Sequence, residues 1–216
     1  MTSNLYMTPL DKLITYFEKF PGTGLRQAKR FAFHVLTLKP EQIKELSDLI
    51  TSLPKSVTEC QSCRRFFSET ANLNHTCVIC RNQNRDRSKL LVVARDNDIE
   101  AIERSGVYDG LYFILGGTVS LLTQPNDQQR VRSGALKACI EDRIKHDKLE
   151  EIILGFAINP DGENTSRFVE SLINEVADET KVKISYLGRG LSTGSELEYA
   201  DAETIKSALS NRSTHT

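Results

Sequence analysis

Residues 60–80 read CQSCRRFFSETANLNHTCVIC, and this stretch separates two parts of the chain that differ in character. It holds two Cys-x-x-Cys pairs, Cys60 with Cys63 and Cys77 with Cys80, with thirteen residues between them. A two-residue spacer lets both thiolates of a pair reach one metal ion, and tetrahedral Zn²⁺ takes four such ligands. Four protein ligands leave no open position for a catalytic water, so the pattern predicts one structural Zn²⁺ per chain.

Two other interpretations of this stretch stay open at the level of sequence. The cysteines form disulfides, or His75 replaces one of them as a ligand. The chain shows no signal peptide, so we expect a reducing cytoplasm, where the pattern favours a metal over disulfides. The fifth cysteine, Cys139, is remote in sequence and lies in a helical pattern, which predicts a place in the core.

Composition excludes a membrane protein and reveals an uneven distribution of charge. The chain has 216 residues, of which 39% are hydrophobic and 26% charged, and it contains no apolar run of membrane-spanning length. Its net charge of −1 combines a balance of +6 over residues 1–89 with a balance of −7 over the remainder. This asymmetry predicts a basic part that meets a polyanion, with chance patterning of solvated faces as the alternative.

Hydrophobic periodicity changes at the cysteines. Before them, apolar residues recur at helical spacing in three segments, which predicts a small helical domain. After them, short apolar runs at 90–94, 112–115, 152–158 and 182–187 alternate with helical patterns. Strands that alternate with helices predict βαβ units and a mostly parallel sheet, so the fold class is multidomain, α followed by α/β.

The turn between the first two helices reads FPGTG, residues 20–24, and a helix with a basic face follows it. Glycines let the backbone approach a ligand closely, and the free N–H groups that begin a helix attract anions. The pattern therefore favours contacts with nucleic-acid phosphates over a purely structural turn with solvated arginines. The residues predicted to bind DNA are Gly22, Gly24, Arg26, Lys29 and Arg30.

This segment looks like a helix-hairpin-helix motif, and further segments strengthen the likeness. They read AKRFAFH at 28–34, AIERSG at 101–106, YFILGG at 112–117, RGL at 189–191 and GSELEYAD at 194–201. In this order, and joined to a four-cysteine module, they resemble the RecR family of bacterial recombination mediators over nearly the whole chain.

The resemblance implies four segments. They are a helix-hairpin-helix DNA-binding domain at 1–56, a C4 zinc finger at 57–84, a Toprim-like domain at 88–187 and a C-terminal oligomerisation segment at 188–216. It also implies a cytoplasmic, nucleoid-associated protein that forms dimers or ring-like tetramers and clamps single- or double-stranded DNA. Such proteins have no established catalytic activity, and with RecO or RecF they help to load RecA during recombinational repair.

The Toprim fold also serves enzymes, so a Mg²⁺-dependent nuclease or primase-like enzyme is the alternative function. Those enzymes need a glutamate at the end of the first strand, where this chain has Ala94, and the missing glutamate argues against catalysis. Asp161 and Glu163 follow the third strand in a loop at 159–165 that, like the loop at 120–127, looks shorter than in the family. The resemblance implies that these two carboxylates contact the partner protein. Asp96 or Asp98 is expected to cap the helix that follows the first strand rather than to bind Mg²⁺.

Overall fold

A computed structural model of the chain describes residues 7–68, 75–120, 131–177 and 181–188, together with 202 and 204–206. The chain divides into two compact units, Met1–Val57 and Thr58–Thr216. The residue boundaries predicted for the segments within the second unit stay predictions. None of the helices in the described part of the chain is long and apolar enough to span a lipid bilayer.

The first unit is helical and contains α1 (Pro9–Glu18), α2 (Leu25–Val35) and α3 (Pro40–Ser56). Thr8 caps α1 through a reciprocal pair of hydrogen bonds with Asp11, and Pro9 occupies the first helical position, where its missing N–H costs nothing. α1 packs against α2 through a small core in which Ile14 meets the fully buried Ala28 and Ala32. The two alanines allow the helices to approach closely.

α3 carries an apolar face that this unit leaves exposed. Its members recur at helical spacing along one side of the helix and are each 40–64% exposed, namely Ile43, Leu46, Leu49, Ile50 and Leu53. No residue of α3 is buried. The face thus lacks the cover that an amphipathic helix normally finds in its own domain.

The second unit begins with the cysteine module, residues 58–81, and continues as an α/β domain. The module contains the strands β1 (Thr58–Glu59) and β2 (Phe66–Phe67), which pair antiparallel, and the short helix α4 (Val78–Arg81). The remaining elements are β3 (Asp86–Val93), α5 (Asp96–Ser105), β4 (Gly110–Ile114), α6 (Ser133–His146), β5 (Glu151–Gly155), α7 (Pro160–Ala177) and β6 (Lys183–Tyr186).

The four long strands form one parallel sheet in the order β4-β3-β5-β6. β3 and β4 are buried over their apolar residues, and the three long helices each contribute to the same core, for example through Ile99, Ile140 and Ile173. Gly106 ends α5 in the left-handed conformation, at φ 66°, which glycine adopts without strain. The parallel sheet and the helix–strand alternation confirm the predicted fold class.

Two strand boundaries differ from the predictions by three residues or more. β3 begins at Asp86, four residues before its apolar run, because Asp86 pairs with Gly110 of β4 and Lys89 pairs with Glu151 of β5. These half-buried polar positions give no signal in the hydrophobic periodicity. β5 ends at Gly155, so the prediction of a strand to residue 158 is wrong. Ile158 is 61% exposed and belongs to the turn that leads into α7.

Candidate nucleic-acid interface and metal centre

The turn between α1 and α2 presents an uncapped helix start. Gly22 has φ +74°, in the left-handed region that glycine adopts without strain, and the N–H of Thr23 donates to the carbonyl of Phe20. Gly24 is the N-cap of α2 and offers no side-chain acceptor to the first helical N–H groups. The first turn of α2 therefore keeps backbone donors available for an anion.

Three cations follow this turn on the surface of α2. Arg26 and Arg30 are four residues apart and thus share one helix face, and Lys29 lies beside them. All three side chains are exposed, and within residues 7–68 none of them forms a salt bridge. The structure brings these predicted DNA-binding residues together with Gly22 and Gly24 on one end of the first unit.

The four predicted cysteine ligands converge at one point. Their sulfur atoms all lie within 4.8 Å of one another, and all four residues are buried. A tetrahedral ion with Zn–S bonds of about 2.3 Å needs sulfur atoms about 3.8 Å apart. The Sγ atoms of Cys63 and Cys77 are 3.6 Å apart, which fits a shared metal and is far beyond a disulfide bond of about 2.05 Å.

The two alternative interpretations of the cysteines fail in this geometry. All five cysteines are free. His75 is not part of the ligand cluster, and instead its backbone carbonyl accepts a hydrogen bond of 2.9 Å from the N–H of Gln61. Hydrogen bonds from the neighbouring thiols, Cys63 first, hold the pKa of Cys60 well below its ordinary value, and the same hydrogen bond raises the pKa of Cys63.

Cys139 is remote from the cluster in sequence but not in space. It is half-buried against the core, and its sulfur lies 3.8 Å from the carbonyl oxygen of Ser62, in the turn between the first two ligands. The Nε of Arg143 donates to the same sulfur over 3.3 Å. Cys139 is thus a packing residue at the edge of the module and not a fifth ligand.

The cysteine module docks at the carboxyl end of the sheet. The N–H of Ile114, the last residue of β4, donates to the carbonyl of Cys63 over 2.8 Å. Arg132 forms a salt bridge of 3.2 Å with Glu59 of β1 and lies over the ring of Phe66. The module therefore occupies the edge where parallel α/β sheets usually bind their ligands.

This docking occupies a carboxylate that follows β3, at the carboxyl end of the sheet. Oδ1 of Asp96 accepts a hydrogen bond of 2.8 Å from the N–H of Phe66, which joins the start of α5 to β2. Asp98 accepts from the N–H of Arg95 over 2.8 Å and so caps α5, as predicted. Ala94, at the expected glutamate position, is buried. Among the described residues, the four cysteines are the only cluster of three or more metal-binding side chains.

Asp161 and Glu163 do not lie in a loop, and that prediction is wrong. α7 begins at Pro160, so both carboxylates belong to its first turn, where they are half-buried. The helix starts this early because Oδ1 of Asn159 caps the N–H of Gly162 at 2.8 Å. Side chains two positions apart on a helix point in different directions, so the pair does not form a shared metal site.

Sequence reasoning missed a polar network that joins the segment after the cysteine module to the sheet. Arg85 forms a salt bridge with Glu103 of α5 and donates to the carbonyl of Gly110 over 3.0 Å. The hydroxyl of Tyr112 donates to Glu103 over 2.5 Å. Although partial burial works against ionisation, the hydrogen bonds from Arg85 and Tyr112 hold the pKa of Glu103 below its ordinary value. In the sequence, Glu103 and Tyr112 stand out only as members of the segments at 101–106 and 112–117.

Comparison with known proteins gives family-model matches near both ends of the chain. A family model described as RecR, helix-hairpin-helix, matches residues 10–53, and one described as RecR, C-terminal, matches residues 190–213. The recombination protein RecR of Staphylococcus aureus strain MRSA252 is 34% identical over 207 residues, which cover 96% of this chain and 98% of that protein. The RecR of strain Newman matches with the same identity and coverage. The segments at 189–191 and 194–201 lie outside the described residues. So does the oligomerisation segment at 188–216, apart from residues 188, 202 and 204–206, and most of the loop at 120–127.

Proposed function

Because the chain belongs to the RecR family of recombination proteins, we propose that it acts in recombinational DNA repair as a DNA-binding mediator without catalytic activity of its own. In this role it forms an oligomeric clamp on single- or double-stranded DNA. With RecO or RecF it helps to load RecA onto single strands. The cytoplasmic location stays a prediction.

The uncapped start of α2 carries the DNA-binding part of the proposal. The N–H groups of the first turn and the guanidinium groups of Arg26 and Arg30 face solvent on one end of the unit. A phosphate at this point gains backbone hydrogen bonds and two charge-assisted ones, which together fix its position without reading a base. Lys29 adds a third positive charge, which favours a polyanion over a single small anion.

Zn²⁺ is the metal that the four-cysteine cluster suits best. Thiolate ligands select soft or borderline ions, and four buried sulfur atoms at tetrahedral spacing are typical of a structural zinc site. The module has two short strands and one helical turn, so its own core is too small to fold it. Bound zinc would hold β1 and β2 against the sheet rather than take part in a reaction.

The apolar face of α3 supports the oligomeric part of the proposal. Five large apolar side chains on one helix face stay 40–64% exposed within the first unit, and such faces mark contacts with another protein surface. A second copy of the chain is the occupant that a ring or dimer supplies. The predicted C-terminal association segment would provide a second contact, which closes the ring.

The first turn of α7 is the proposed contact with the loading partner. Asp161 and Glu163 lie there, the exposed side chain of Ile158 precedes them, and Tyr186 lines the same pocket as Glu163. Acidic residues around an apolar centre suit a basic partner surface. The choice between RecO and RecF does not follow from these residues.

Loading of RecA tests the function directly. RecA filament growth is followed on single strands coated with single-strand-binding protein, with RecO or RecF added. The wild-type chain should accelerate growth, the double variant Arg26→Ala/Arg30→Ala should not, and the control Lys44→Ala/Lys55→Ala should behave as wild type. No acceleration with either partner would contradict the proposal, and Mg²⁺-dependent DNA cleavage lost in Asp161→Ala would favour the enzyme instead.

A further inference from the structure

A polar cavity of about 450 Å³ lies between the first cysteine turn and α6. Gln61 and Ser62 line it from the turn between two of the cysteines, and Cys139 and Arg143 line it from α6. Its volume falls in the range of about 300–1,000 Å³ that small-molecule sites occupy. None of the DNA-binding or partner-binding residues proposed above belongs to it.

Three arginines converge on this cavity, and two of them share one counterion. Arg143 is only 4% exposed and binds Asp147 at 3.1 Å and the hydroxyl of Ser62 at 3.0 Å. Arg87 of β3 binds the same Asp147 at 3.2 Å. A single carboxylate therefore balances two guanidinium groups.

The third arginine, Arg64, shares its counterion with another arginine. Its salt bridge to Glu59 is long, at 4.0 Å, and the same carboxylate lies closer, at 3.2 Å, to Arg132. Asp142 is the other acid on the cavity wall, so three arginines face two carboxylates there. The cavity thus carries an excess of one positive charge.

Arg64 is also unusual in its backbone conformation and in the hydrogen bonding of its Nε. It has φ +66°, in the left-handed region where glycine fits without strain and a larger residue costs free energy. Its Nε is buried and has no hydrogen-bond partner among the described residues, although buried donors are normally paired. A strained residue with an orphaned buried donor beside a polar cavity indicates a ligand that supplies the missing acceptor.

We propose that this cavity binds a phosphate group, held by Arg64 and Arg87 and positioned by the buried Arg143. A phosphate has oxygen atoms for more than one guanidinium fork, and its charge offsets the excess on the cavity wall. The phosphate comes from a DNA strand that passes the cysteine module or from a free nucleotide. The site lies in the second unit and does not depend on the hairpin, so it can fail while the proposed function holds.

Calorimetry with the full-length, zinc-loaded protein tests the site, with inorganic pyrophosphate and AMP as probes. Arg64→Gly removes the guanidinium and also relieves the backbone strain, so the variant should keep its zinc and melt no lower than wild type. Its affinity for the probe should fall by about tenfold or more, the usual effect of losing a charge-assisted hydrogen bond. Arg104→Gln, an exposed arginine on α5, should bind as wild type.

A second arm identifies the source of the phosphate. If the phosphate belongs to DNA, Arg64→Gly and Arg87→Gln should each reduce the salt dependence of DNA binding by about 0.7–0.9 in log–log slope, with little uptake of AMP. If it belongs to a nucleotide, the probes bind and the DNA slope stays constant. Should Arg64→Gly lose zinc, Arg87→Gln carries the test, because Arg87 lies on β3 outside the module. Unchanged probe binding and an unchanged DNA slope in a zinc-loaded variant would overturn the proposal.

Discussion

The two glycines of the hairpin turn should respond differently to substitution by alanine, which separates the stability of the turn from its role in DNA binding. Gly22 has φ +74°, whereas Gly24 has φ −85°, and an added Cβ at either position meets no other atom within 4 Å. Alanine at Gly22 is therefore strained but not crowded. Alanine at Gly24 is neither strained nor crowded in the free protein.

The expected free energies follow from these angles. Alanine in the left-handed region costs about 1–2 kcal/mol, and the lost freedom of the unfolded chain returns about 0.4–1 kcal/mol. Gly22→Ala should thus destabilise the first unit by about 1 kcal/mol. At Gly24 the same gain is offset by the poorer N-cap that alanine makes, so Gly24→Ala should stay within about 0.5 kcal/mol of wild type.

DNA affinity should show the reverse order. A methyl group on Gly24 stands at the open start of α2 and should keep a phosphate from the first N–H groups. The loss of one such charge-assisted bond weakens binding by about tenfold or more. Gly22→Ala should reduce DNA affinity less, because the protein stays folded and the start of α2 stays open.

Hydrogen exchange of the α1 and α2 amides measures the first effect, and fluorescence anisotropy with labelled DNA measures the second. Equal destabilisation by Gly22→Ala and Gly24→Ala would refute the prediction that alanine is strained at position 22. Unchanged DNA affinity of Gly24→Ala would refute phosphate binding at the start of α2.

Three further predictions concern the metal, the buried network and assembly. Cys77→Ser should lower bound zinc from one ion per chain toward none and unfold the cysteine module, because structural zinc supplies about 10–16 kcal/mol of folding free energy. A strong chelator should have the same effect on the wild type. Metal analysis measures the bound zinc, and circular dichroism measures the unfolding. Glu103→Gln leaves the partly buried Arg85 without its anion and should lower the free energy of unfolding of the second unit by about 1–3 kcal/mol in urea titrations. Ile50→Asp places a charge on the apolar face of α3 and should shift the mass seen by light scattering toward smaller species.

Each of these variants has a matched control. Cys139→Ser removes a cysteine that is no ligand and should keep its zinc, and Glu100→Gln changes an exposed glutamate of α5 and should unfold as wild type. Thr51→Asp adds the same charge on another face of α3 and should leave the mass unchanged. The reasoning fails wherever the control and its variant behave alike.

Local patterns predicted much of this fold. The cysteine spacing and the FPGTG turn each act through residues a few positions apart, so a sequence displays them directly. The apolar runs likewise identified the cores of β3 and β4, where both faces of the strand are buried.

Contacts between distant segments could not be predicted from the same signals. The hydrogen bond from Phe66 to Asp96 joins residues thirty positions apart, and Glu59 meets Arg132 across the cysteine module. A polar residue that pairs at long range looks like a solvated one in sequence, because the pairing depends on how the module docks. Asp161 and Glu163 were misplaced for a related reason, since Pro160 reads equally well as a loop residue and as the first residue of a helix.

The salt dependence of DNA binding tests the central claim, that the hairpin holds the DNA backbone. The slope of log affinity against log salt is measured for the wild type, for Arg26→Ala/Arg30→Ala and for the control Lys44→Ala/Lys55→Ala, which removes two exposed cations from α3. If each arginine neutralises one phosphate, the arginine variant should lose about 1.4–1.8 from the slope while the lysine variant keeps it. Equal slopes for the arginine variant and the wild type would place the DNA away from the hairpin and contradict the account.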